Sequence, residues 1–299
     1  MLLQRQYSEI AADLARLESF LDGLGLHKGR DRLRQLAEHV TMIEQAYRSG
    51  TLDALTDRGD VEDLVWSLVD AIEFSDIYAG LHSESPEVLK PLFRKALRGT
   101  LHPGQETAYR SNIGRNTAFE LRLASKIQQV GGQVQLGQRA DLVIDHAGAR
   151  IYVECKRPFS ADSIRANIEE ARKQLRKRLD KDSHPVAAGV VAISASRAVN
   201  FSGSRFFLAK HPAALSNLAD DLRQLHQTNS ADFDRLPDLR ILGVLYHVQI
   251  PAYVKSLSLL TAASQAAVFL SGAAMKTTFP VSHGEPLKNL LHSALSSAR

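Results

Sequence analysis

The stretch from Arg139 to Pro158, RADLVIDHAGARIYVECKRP, constrains the fold more than any other part of the chain. Alternating β-branched and aromatic residues flank an Ala-Gly pair, which is the pattern of a β-hairpin. Folding about Ala147-Gly148 sets Ile144 against Ile151 and Leu142 against Val153, giving one wholly apolar surface. The other surface pairs Asp145 with Arg150, Val143 with Tyr152 and Asp141 with Glu154. Residues two apart share a face, so Lys156 lies beside Glu154 while Cys155 points the opposite way. Two carboxylates facing each other with Cβ atoms about 5 Å apart repel unless positive charge separates them. Their hard oxygen ligands suit magnesium or manganese. The competing reading is a solvent-facing ladder of charges with Lys156 as counter-ion.

Upstream of the hairpin the period changes. About the first hundred residues carry helical spacing, as in Ile10, Leu14, Leu17 and Leu21, or Leu64, Val65, Leu68 and Ile72. Strand-like alternation is missing, so a helical bundle is expected over 1–108. Its histidines share no ligand spacing. The pattern loosens around Gly99 to Tyr109, where a boundary to a second domain, 109–299, is placed.

Asn112 to Val130 reads as a helix stopped by Gly131-Gly132. Glu120 shares its apolar stripe with Leu123 and Ala124, and Asn116 sits one turn earlier. A carboxylate there is costly unless it is paired, metal-bound or at an edge that reaches water. Gln133 to Gly137 is a short strand, and Pro158 ends the hairpin's second arm.

The following helix runs to about Leu179. Its buried stripe is Ile164, Ile168, Ala171, Leu175 and Leu179, flanked by Asn167 and Gln174. Arg165, Arg172, Lys173, Arg176, Lys177 and Arg178 are assigned to the opposite face, which either is simply solvated or tracks phosphates. Val186 to Ser194 reads as a strand buried on both sides. Pro212 to His226 reads as a helix, Leu239 to Ile250 as a long strand, and Leu257 to Leu270 as another strand, with helix as the alternative. The tail from Ser282 ends in a short helix.

The sequence has one cysteine, which excludes an internal disulfide and Cys-rich zinc sites. A net charge of +4 permits a nucleic-acid partner without requiring one. Neither a signal peptide nor a membrane-spanning stretch is read, so a cytoplasmic protein with no membrane partner is expected. Nucleophile-elbow, Walker and zincin motifs are missing. His247, Trp66 and Cys155 are read as core packing. Phe201 and Phe206 are candidates for stacking on a base.

In the order helix, strand, hairpin, helix, strand, the chain from about Asn112 to Ser196 resembles the PD-(D/E)XK nuclease superfamily. Glu120, Asp141 and Glu154-Cys155-Lys156 carry the resemblance. It departs from the family pattern at Ala140, where proline is usual, and at Arg178, where the exonuclease-like branch has tyrosine four residues after its glutamine.

The resemblance implies an α/β fold with a restriction-endonuclease-like αβββαβ core and mixed sheet, preceded by the helical domain. It implies Mg2+- or Mn2+-dependent hydrolysis of DNA phosphodiester bonds. Asp141, Glu154 and the Cys155 backbone carbonyl would hold the metal, and Lys156 would orient the attacking water. Glu120 would hold a second metal through water or orient the nucleophile. Asn116 and Gln174 would bond phosphate or the ligating groups, alongside Arg165, Arg172, Arg176 and Lys177 on nucleic acid. The helical domain would recognise substrate or dimerise, and a homodimer would supply two sites to a duplex. Bacterial genome defence or repair is the setting this implies. RNA cleavage and a non-catalytic nucleic-acid-binding or assembly module are the alternatives.

Overall fold

The computed structural model describes residues 6–26, 30–56, 61–98, 100, 113–137, 140–199, 207–209, 216–230, 238–271 and 281–296. The expected boundary segment, apart from Thr100, and the aromatics Phe201 and Phe206 lie outside this set.

The chain opens with helices α1 (Tyr7–Gly23), α2 (Arg30–Arg48), α3 (Leu52–Thr56), α4 (Val61–Leu81) and α5 (Pro86–Ala96). The short α3 has too few periodic positions to show in the pattern. In α1, Ile10, Leu14, Leu17 and Leu21 are buried together, so the helical spacing corresponds to a packed stripe. In contrast, α4 is apolar and buried on nearly all sides, as a helix at the centre of a bundle must be.

Next come α6 (Ile113–Gln129), β1 (Gln133–Leu136), β2 (Leu142–His146), β3 (Ala149–Lys156), α7 (Ile164–Leu179) and β4 (Ala187–Ser194). The chain continues with α8 (Ser196–Val199), β5 (Phe207–Ala209), α9 (Ser216–Ser230), β6 (Ile241–Val254), β7 (Leu259–Leu270) and α10 (Val281–Ser296). The fold is α/β with a mixed sheet. In it β1, β2 and β3 are antiparallel neighbours, while β4 lies parallel to both β3 and β6.

The hairpin has the register read from its turn: Leu142 opposite Val153, Ile144 opposite Ile151, Asp145 opposite Arg150. Ala147 and Gly148 both have positive φ, 50° and 77°, which matches the twist of a two-residue hairpin loop. His146 is the last residue of β2 and is half-buried.

Strand β6 is longer than its pattern suggests because it runs through Pro251. Its Ile241–His247 half pairs with β4 and its Ala252–Val254 end with β5, while β7 runs along the other edge. The Gln249 N–H points to the first edge, where Ser196 Oγ accepts it at 2.9 Å. Two residues on, Pro251 faces the same edge, in the gap between β4 and β5. Its missing N–H therefore costs no ladder bond.

Apolar side chains pack on both faces of the sheet. One core joins the helices of the first hundred residues to α6, Leu142, Ile151, Val153, Cys155 and Leu245. The other places Val143, Tyr152 and Val191 under α7 and α9. The hairpin's second surface, for which a solvent-facing ladder was the competing reading, is covered by α7. A strand paired in parallel at the middle of a sheet is normally covered on both sides.

Candidate active site

Asp141 immediately precedes β2, so the hairpin register carries it across from Glu154. Asp141 Oδ2 accepts the backbone N–H of Cys155 at 2.7 Å, tying the start of β2 to the end of β3. Burial pushes the Asp141 carboxyl up; that hydrogen bond and the charges of Lys156 and Arg178 oppose the rise. Glu154 is only 2% exposed and is ion-paired to Arg178 of α7. Lys156 Nζ donates to Glu170 Oε1 of α7 at 3.2 Å, and Gln174 Nε2 donates to the same oxygen at 3.2 Å.

Glu120 reaches this group from α6. Its carboxyl is pushed up to about 8, first by burial and then by the charge of Asp141, with Lys95 and Lys156 opposing. The Cys155 thiol is pushed well up by burial, and further by Asp141 and Glu120. These mutual effects put Glu120, Asp141, Lys156 and Arg178 in one electrostatic neighbourhood at the end of β3. Asn116, one turn before Glu120, has its Oδ1 buried with no hydrogen-bond partner among the described residues.

Two members of this neighbourhood were not read as such from sequence. Lys95 comes from α5, whose end is brought to the start of α6 where Gly114 lies against the Arg98 carbonyl with no room for a side chain. Arg178 was assigned to the outer face of α7. Four residues after Gln174, it is one turn further along the same side, which is the signal that could have marked it.

The remaining basic residues scatter. Arg165 pairs with Glu169 at 3.5 Å and Arg176 with Asp238 at 3.7 Å. Arg172, expected outside, is 3% exposed, because the covered surface of α7 is wider than its apolar stripe. Lys177 stays exposed.

Among the described residues, no three His, Cys, Asp or Glu side chains are gathered closely enough to hold a metal ion as they stand. The donor chemistry nonetheless fits a hard divalent cation. Glu120 has no hydrogen bond or ion pair among the described residues, and its carboxyl sits beside a second acid that is also pushed up. Glu154 would join them only by giving up Arg178.

A second group of charges lies along α4 and α6. Asp70 pairs with Arg32 at 2.7 Å and also with Arg115; Asp76 pairs with Arg122 at 3.1 Å and Lys126 at 3.0 Å. Burial raises the Asp70 carboxyl, but Arg115 and Arg32 outweigh it and hold it below the usual range. His247, as expected, is a core residue: it contacts Ser264 and Arg122 and lies over Phe119, and burial lowers its pKa. Asp70 and Asp76 are thus each matched by two cations, whereas burial pushes Glu73 between them up, with Arg122 opposing and Asp70 adding to the rise.

Among known proteins, no family model matches the chain, and no curated protein or solved structure matches it significantly.

Proposed function

We propose that the chain is a divalent-metal-dependent nuclease acting on DNA, with the restriction-endonuclease-like core suggested by its motif residues. What supports this reading is that Glu120 of α6, Asp141 before β2 and Lys156 of β3 influence one another at one end of the central hairpin, with Glu154 across from Asp141 by the hairpin register. Asp141 and Glu154, with the Cys155 carbonyl, would hold Mg2+ or Mn2+, and Glu120 would add to the set through water. A bound divalent cation would lower the pKa of water and offset charge on the scissile phosphate.

Within that arrangement the Cys155 N–H holds the Asp141 carboxylate in place. Lys156, steadied by Glu170, offers positive charge to the phosphate oxygens and orients the attacking water. Glu120 retains a proton near neutral pH until positive charge arrives, which supports a cation site over a solvated ladder. A homodimer would supply two such sites to a duplex.

Incubation of supercoiled plasmid with the protein, in Mg2+ and in chelator, tests this. Nicking is expected only with Mg2+, and is expected to fall at least ~100-fold in Asp141→Ala and Lys156→Ala, both still folded. Equal nicking in those variants would assign the activity elsewhere. Cleavage of RNA but not DNA would change the substrate.

The Glu154–Arg178 ion pair favours a second reading, a non-catalytic module that binds nucleic acid. That reading expects nucleic-acid binding with no Mg2+-dependent cleavage.

A further inference from the structure

One pocket, about 530 Å3, opens on α7 and the turn after it, and Gln174, Lys177, Arg178 and Lys181 line it. Cations at the end of a helix ordinarily complement its dipole and face water. Three features set this group apart. The cations line a concavity rather than a convex face. Lys177 and Lys181 have no ion-pair partner among the described residues, whereas Arg165 and Arg176 on the same helix are matched by acids. Two lining residues also reach the candidate site directly: Arg178 pairs with Glu154, and Gln174 shares Glu170 with Lys156.

The chemistry of the lining names its ligand. Among the described lining residues, three cations without an acid select an oxyanion, and a guanidinium fork suits phosphate as well as carboxylate. A bare phosphate would leave most of the space empty, since pockets for whole small molecules span about 300–1,000 Å3. Gln174 Oε1 is buried with no partner among the described residues, an acceptor ready for an N–H or O–H of a sugar or base carried next to the phosphate.

We propose that this pocket seats one nucleotide of a nucleic-acid strand, its phosphate held by Lys177, Lys181 and Arg178, and that Arg178 leaves Glu154 to do so. The role of Glu154 rests on the metal-site reading above; the pocket does not. A carboxylate as buried as Glu154 is costly once its arginine departs. The exchange therefore goes forward when a divalent cation replaces the guanidinium, and strand and cation strengthen each other's binding.

The probe is a fluorescein-labelled, phosphorothioate-linked DNA strand of about 12 nucleotides, which resists hydrolysis. In chelator, anisotropy should show salt-dependent binding to the wild type. Lys177→Ala combined with Lys181→Ala, both exposed positions, should flatten the salt slope by about 1.4, or ~0.7 per lysine on a single strand. An unchanged slope overturns the pocket whether or not the protein cleaves DNA. Inorganic phosphate binding there as tightly as the strand overturns the nucleotide assignment.

The second arm follows free Mn2+ by electron paramagnetic resonance. The strand should raise Mn2+ affinity at least about fivefold in the wild type and leave it unchanged in Arg178→Gln. Equal enhancement in both overturns the exchange. Strand binding lost in the double lysine variant, combined with no Mg2+-dependent nicking by the wild type, leaves the pocket standing and removes only the nuclease reading.

Discussion

The seam between α4 and α6 and the end of the central hairpin both bury acids against bases, but to opposite effect. At the seam, Asp70 and Asp76 each meet two cations, and Asp70 is held ionised below its usual range. At the hairpin, burial pushes both Glu120 and Asp141 up, and the charge of Asp141 adds to the rise at Glu120, while Glu154 is matched by an arginine that also lines a pocket. Saturated charge holds helices together; unsaturated charge is a cost to the folded state that a ligand can remove.

The largest effect that could break this contrast is at Asp70. Asp70→Asn would strand two buried guanidinium groups and should lower unfolding stability by about 3–5 kcal/mol, measured by urea titration. Asp141→Asn, made under the same conditions, should lose far less while abolishing Mg2+-dependent nicking. Equal losses would mean that both clusters are structural.

A smaller effect is read at the hairpin cluster through the Glu120→Gln variant, since Glu73 at the seam is also pushed up by burial. The folded Glu120 carboxyl holds its proton up to about 8, whereas an unfolded glutamate releases it near 4.5. The folded state therefore binds more protons between those values, and stability falls as pH rises through them. Asp141 adds in the same direction. Melting in chelator at pH 5 and pH 9 should show the fall, and Glu120→Gln should reduce it. A curve unaltered by Glu120→Gln would remove the acid from the strained cluster.

The smallest effect lies at the hairpin turn. Ala147 pays a left-handed backbone conformation that asparagine adopts more readily. Ala147→Asn should add under about 1 kcal/mol and leave strand binding unaltered. A loss of stability would mean the turn is held by something other than its φ angles.

These contrasts also mark where reading the sequence ends. The register of β2 and β3 was legible because a two-residue turn and a period of two leave one pairing that keeps Leu142, Ile144, Ile151 and Val153 on one face. Glu120 was legible because a carboxylate interrupts an apolar stripe. That α7 covers the other face, and so turns Arg178 onto Glu154, was not, because helix placement depends on contacts far apart in the chain. Lys95 stayed hidden for the same reason. The seam left a trace: Asp70, Glu73 and Asp76, three apart in the largely apolar body of α4, ask for partners, but nothing local names Arg115 or Arg122.

The hydroxyl of Tyr7 donates to the carbonyl of Leu260 at 2.5 Å, and Tyr253 donates to Asp53. Helices α1 and α3 are thus tied to β7 and β6, 253 and 200 residues away along the chain. Loop closure over such separations is slow, whereas α6 through β4 can assemble from near neighbours. The central hairpin can therefore form well before those helices find their seat, and until then their apolar faces would be exposed to chaperones and to one another.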